Sequence, residues 1–184
     1  MKKLLISLLC VGTFFSNTVI YANENNACDP TESCETTKES TNQDFTEISM
    51  EEALSFFNEK KDGILYFGFE QCPYCQQAKP ILRKVAKSAK KTVYYVKVRD
   101  DQKNLLYTDE QREQLSQYIG KYMEENKEED NKLWLYVPLV LSVKKGEAIK
   151  GHEGTVKDHD ASKREMTKKE KKKLKKIYKN ILEA

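Results

Sequence analysis

The sequence predicts an α/β domain, a central mixed β-sheet flanked by helices, and three observations predict it. A continuous apolar run, ILYFGF (64–69), is followed by a helical stretch (73–90) and a second apolar run, TVYYVKV (92–98). Runs of this kind mark strands buried on both faces, and strand, helix and strand in that order form a right-handed crossover between parallel strands. The strand signal LWLYVPLVLSV (133–143) leads through a turn at Lys145 and Gly146 into an antiparallel hairpin partner, which makes the sheet mixed. Leu174, Ile177, Tyr178, Ile181 and Leu182 then lie on one stripe of a lysine-rich segment and predict an amphipathic closing helix.

The chain has 184 residues, room for one domain and a leader but hardly for two domains. The start MKKLLISLLCVGTFFSNTVIYANEN has two lysines, an apolar run from Leu4 to Phe15, then polar residues before Ala22. That order predicts a secretory signal peptide over 1–22, with a retained membrane anchor as the alternative. Cys10 falls inside the apolar run and would leave with the leader. Residues 23–44 hold almost no large apolar side chain and are rich in Asn, Glu, Ser and Thr, which predicts a flexible linker carrying Cys28 and Cys34. The folded domain is then 45–184.

Within that domain Ser49 caps a first helix over 50–61, with Met50, Ala53, Leu54 and Phe57 at helical spacing. Residues 109–126 predict a surface helix with Leu115, Tyr118, Ile119 and Tyr122 on one face. Pro138 interrupts the 133–143 run, and a proline there calls for an explanation, because it cannot donate to a strand ladder.

The chemistry is concentrated in Cys72-Pro73-Tyr74-Cys75, directly after the first buried strand and at the start of a helix. Unpaired N–H groups and the positive end of the helix dipole stabilise a thiolate there, and Pro73 suits the first turn, where its missing donor costs nothing. Cys72 is expected to be the exposed, low-pKa nucleophile, somewhere between ~3.5 and ~7.5 for such motifs. Cys75, three residues on and on the same side of the helix, is expected to be the resolving thiol. Half a zinc site and an inert disulfide are the alternatives. Zinc asks for four ligands, however, and Cys28 and Cys34 lie in the linker with the wrong spacing for a matching knuckle.

FGFEQCPYCQQAKPIL, with Pro80 five residues after Cys75, resembles the thioredoxin superfamily, and the resemblance extends over roughly 45–184. It implies a thioredoxin-like fold, and it implies that Tyr136-Val137-Pro138 is the cis-proline loop, with Val137, Pro138, Pro73 and Tyr74 receiving the substrate chain. An ordinary trans proline on an edge strand is the alternative for Pro138. Among family subtypes the chain looks most like the exported bacteriocin transport accessory proteins of Gram-positive bacteria. Two departures stand out. Tyr66 and Gln71 occupy the places where thioredoxins carry a buried acid and a tryptophan, which leaves Glu70 or Tyr66 to handle the proton during resolution.

The expected function is therefore an exported thiol–disulfide oxidoreductase, more an oxidase or isomerase than a reductase, forming or exchanging disulfides in secreted proteins or peptides. A thioredoxin-fold module that holds an exported peptide without turnover is the rival. Export places the cysteines where disulfides persist. No cofactor and no metal is expected, since His152, Glu153, Asp158, His159 and Asp160 read as charged loop residues. Cys28 and Cys34 read either as a passive disulfide or as a second redox pair. The expected partners are cysteine-containing exported chains and a membrane or extracellular redox protein, not nucleic acid. Residues 163–184 carry ten Lys/Arg against three Glu in a chain of net charge +3. That helix is either a solvated face or a contact to anionic lipid or wall polymer.

Overall fold

The computed structural model describes residues 45–129 and 131–184. The expected leader and linker, with Cys10, Cys28 and Cys34, lie outside the described residues. In chain order the elements are β1 (Phe45–Ile48), α1 (Met50–Asn58), β2 (Gly63–Gly68), α2 (Pro73–Ala89), β3 (Val93–Lys97), α3 (Asp109–Ile119), β4 (Glu124–Asn126), β5 (Lys132–Trp134), β6 (Leu139–Lys144), β7 (Glu147–Glu153) and α4 (Lys168–Leu182).

Five strands form one sheet in the order β1-β3-β2-β6-β7. β3 runs parallel to both β1 and β2, whereas β6 is antiparallel to β2 and to β7. The sheet is therefore mixed, with helices on both faces, in the thioredoxin-like arrangement that the resemblance implied. Alternation along β2 shows why its sequence is apolar throughout. Leu65 and Phe67 enter a core layer with Leu54 and Phe57 of α1 and Leu115 and Ile119 of α3. Ile64 and Tyr66 enter the opposite layer with Ala78, Leu82 and Val85 of α2 and Leu174 and Tyr178 of α4.

Three helices begin in capping boxes, in which a hydroxyl and a residue three positions on satisfy each other's backbone N–H: Ser49 with Glu52, Thr108 with Gln111, and Thr167 with Glu170. Arg164 adds a bidentate ion pair to Glu170, at 2.8 Å through each nitrogen, and so ties the loop before α4 to its first turn.

Four features differ from the sequence-based expectation. β1 is a strand at the parallel edge of the sheet, in a segment too short and too polar at Thr46 and Glu47 to signal one. α1 stops at Asn58, and Lys60 takes a left-handed conformation (φ 55°) in the turn to β2. The helix expected over 109–126 ends at Ile119. A single 3-10 turn (Gly120–Tyr122) follows, and then β4, which pairs with β5. Helical periodicity cannot register a strand whose partner lies beyond the next turn. Finally, the long strand signal at 133–143 divides, with β5 in the small hairpin and β6 in the main sheet, because Pro138 has no N–H to continue a ladder. Among the described residues no helix is long and apolar enough to cross a membrane.

Candidate active site

The chain leaves the C-terminal end of β2 at Gly68 and enters α2 five residues later, at Pro73, so the dithiol sits at the C-terminal end of the central strand, which β3 and β6 flank. Cys72 is the N-cap of α2 and Pro73 its first residue. The Cys75 N–H donates to Cys72 Sγ at 3.2 Å, so the sulfur takes the part a serine or aspartate oxygen plays at other helix starts. The backbone N–H groups of Cys75 and Tyr74 are donors that helix geometry leaves without intrahelical partners.

Both cysteines are free thiols, and their environments separate them. The Cys72 pKa falls from 9.0 to about 7, first through the hydrogen bond with the Cys75 side chain and then through the Cys75 and Tyr74 backbone, against the opposing effect of burial. The Cys75 thiol is pushed far up, chiefly by burial and then by the hydrogen bond and the charge of Cys72. One sulfur is a thiolate near neutral pH and the other holds its proton.

Cys72 departs from expectation in its exposure. It is only 4 % exposed, against 2 % for Cys75. The N-cap geometry turns its sulfur back over the first turn of α2, and the loop before β6 lies against it, with Val137 O accepting from the thiol at 3.6 Å. The Val137–Pro138 peptide bond is cis, and Pro138 O accepts from the Gly154 N–H at 2.7 Å. Beside this loop lies a groove of about 490 Å³, lined among others by Tyr74, Tyr136, Val137, His152, Val156 and His159. Tyr136 is 43 % exposed.

The remaining sequence candidates fall in different places. Tyr74 donates to Asp160 Oδ1 at 3.3 Å and meets the His159 ring edge-on at 6.1 Å. Glu70 is exposed, and its carboxylate pairs with Lys79. Tyr66 is buried under the dithiol, and its hydroxyl interacts with the Cys75 thiol. His159 is not a free ligand, because Nδ1 faces Thr155 Oγ1 at 2.7 Å and Nε2 faces Arg164 O at 3.1 Å. His152 Nε2 is likewise engaged, by Thr155 O. Both histidines thus fold the 154–166 loop onto the start of α2, where Gln77 accepts from the Met166 N–H at 2.6 Å.

Two tyrosines near Cys75 escaped the sequence reading. Tyr95 pairs with Tyr66 in the β2–β3 register, with ring centroids 5.3 Å apart, so the strand register would have found it. Tyr178 read as one more apolar position of the closing helix. Only the packing of α4 against α2 brings it to the site.

Residues 26–120, just over half of the chain, match the family model of TraF, described as F plasmid transfer operon protein. No curated protein matches. Solved structures that are similar include thioredoxin O2 from Arabidopsis thaliana, at 20 % identity, covering 65 % of this chain and 87 % of that one with a TM-score of 0.36. Mitochondrial thioredoxin 3 from Saccharomyces cerevisiae is similar at 12 % identity, covering 61 % and 85 %, with a TM-score of 0.37. With a C-x-x-C pair opening a helix after a buried strand, in a mixed sheet of thioredoxin-like order, the chain belongs to the TraF family of the thioredoxin-like superfamily.

Proposed function

We propose that the chain is an exported thiol–disulfide oxidoreductase in which Cys72 is the nucleophile and Cys75 the resolving thiol. The observation that carries this reading is the place of the two sulfurs on one helix turn, Cys72 as N-cap of α2 with its Sγ accepting from the Cys75 N–H at 3.2 Å and Cys75 buried behind it, which accords with a Cys72 pKa of about 7 and a Cys75 thiol pushed far up. A low-pKa thiolate attacks a disulfide sulfur and becomes joined to it as a mixed disulfide. Cys75 then attacks Cys72 Sγ and the partner leaves as a thiolate. The groove bounded by Tyr74, Val137 and Pro138 is where a cysteine-containing peptide would lie. The leader-like start of the chain supports an extracytoplasmic setting, in the cell envelope, with secreted proteins or peptides, such as a bacteriocin, as substrates and a membrane or extracellular protein as redox partner. The exposed lysines of α4 suit contact with anionic lipid or wall polymer.

Cys75→Ser tests the assignment of roles. Cys72 keeps its nucleophilicity but cannot be released, so the variant should accumulate mixed disulfides with exported chains, visible as reducible bands on a non-reducing gel. A lane identical to that of the Cys72→Ser, Cys75→Ser double variant would favour the rival, a module that holds peptides without turnover.

Direction follows from the potential. Each step down in the Cys72 pKa stabilises the reduced dithiol and raises the potential, and a value of about 7 lies at the weak end of the shift seen in such motifs. We place the pair between about −270 and −200 mV, nearer the lower figure, as suits an isomerase or weak oxidant. Equilibration in glutathione buffers measures it, and a value at or below about −270 mV would make the chain a reductase.

A further inference from the structure

Two phenol hydroxyls beneath the dithiol, those of Tyr66 and Tyr178, have no hydrogen-bond partner among the described residues. Their side chains are 1 % and 0 % exposed. A buried hydroxyl left unpaired weakens a fold, and phenylalanine would fill the same space without that cost. Both hydroxyls therefore call for a reason, and their position supplies one. A Cβ built on Gly68 would lie 2.8 Å from Tyr66 Oη and 3.3 Å from Cys75 Sγ, so hydroxyl and sulfur face the same small space at the end of β2. Tyr178 enters from α4 the same buried layer as Tyr66, Ala78 and Leu82, within electrostatic reach of Tyr66 and Cys75.

The other polar groups around the sulfur are already engaged. The Tyr95 hydroxyl donates to Gly68 O at 3.4 Å, and Glu70, which acts on Tyr95, is paired with Lys79. Cys72 Sγ accepts from the Cys75 backbone at 3.2 Å and is also hydrogen-bonded to the Cys75 thiol. The His152 ring lies edge-on to Tyr178 at 6.3 Å but is held by Thr155 O.

We propose that Tyr66 and Tyr178 form a thiolate-binding site for Cys75, their O–H groups donating to its sulfur whenever that sulfur carries charge. The inference rests on the dithiol-exchange reading above and deepens it. During resolution Cys75 releases its proton to solvent and its thiolate attacks Cys72 Sγ. The Cys72–Cys75 bond forms, the bond from Cys72 to the partner breaks, and the partner leaves as a thiolate that is protonated by solvent. In the opposite direction a substrate thiolate attacks Cys72 and expels Cys75, and the same two donors receive its charge. Neither tyrosine gives up its proton, because burial holds both phenols above their ordinary range. The site is thus built of donors and does not require a base.

The test uses the full chain with Cys10→Ser, Cys28→Ser and Cys34→Ser in every arm, reduced and mixed in stopped flow with the aromatic disulfide dithiobis(nitrobenzoate). The first coloured thiolate released reports attack by Cys72, and the second reports resolution by Cys75. Tyr66→Phe and Tyr178→Phe should leave the first release unchanged and slow the second about tenfold near neutral pH, the equivalent of one unit in the Cys75 pKa. The double variant should be slower still, with the first release unaffected at every pH. Superimposable second-release pH profiles in the folded variants, or slowing of both releases alike, would overturn the inference and leave dithiol exchange standing. A parent protein with no second release would overturn both. Should Tyr66→Phe fail to fold, the Tyr178→Phe arm decides alone.

Discussion

Cys72→Ser is expected to reduce disulfide exchange to the uncatalysed background, whereas the unsubstituted chain should show a rate that follows the titration of this one sulfur. The nucleophile is the thiolate, and a serine hydroxyl, which stays protonated at any working pH, cannot form the mixed disulfide. With the Cys72 pKa at about 7, the attacking form is present above that pH and disappears below it, so attack should fall about tenfold for each unit below about pH 7. Insulin reduction or alkylation by iodoacetamide across a pH series reads both statements. Turnover retained by Cys72→Ser, or an alkylation midpoint near the ordinary thiol value of 9.0, would remove the helix N-terminus as the source of reactivity.

Leu174→Ala should give the largest loss of stability. α4 carries lysines at most of its outward positions and holds to the sheet through a narrow stripe, Leu174, Tyr178, Ile181 and Leu182, all buried. Leu174 is fully buried in the layer that also contains Leu82 and Tyr66. Emptying that position costs about 2–5 kcal/mol in transfer and cavity energy, enough to lower the melting temperature by roughly 5–20 °C for a domain of this size. The exposed Lys172 on the same helix is the control, since Lys172→Ala should change stability by less than about 0.5 kcal/mol. Thermal unfolding by circular dichroism compares the two. Equal melting curves would mean that α4 does not form part of the core layer beneath the dithiol. That layer includes Tyr178, so unfolding of α4 should also disturb the resolving step before it affects attack by Cys72.

The local signals were strong where one side-chain period or one short motif was sufficient. β2, α2, β3 and α4 follow from apolar runs and 3.6-residue stripes. The pair Cys72 and Cys75 follows from its position between a buried strand and a helix, and the reactivity of Cys72 follows first from the Cys75 thiol beside it and then from donors that any helix start leaves open. Elements whose stability comes from a distant partner were illegible for the same physical reason. β1 exists because β3 offers it a parallel edge, and β4 exists because β5 returns beside it; neither has a pattern of its own. The burial of Cys72 was likewise hidden, since the carbonyl of Val137 comes from 65 residues further along the chain.

The sequence by itself determined the α/β class, the dithiol, and a tyrosine, Tyr66, where an acid is usual in this fold. Those depend on residue type and spacing within a single stretch of chain. Only the tertiary structure decided what surrounds the second sulfur. Tyr66, Tyr95 and Tyr178 arrive from β2, β3 and α4, and a buried hydroxyl cannot be told from an ordinary core aromatic until packing has excluded water and shown which of them lacks a partner.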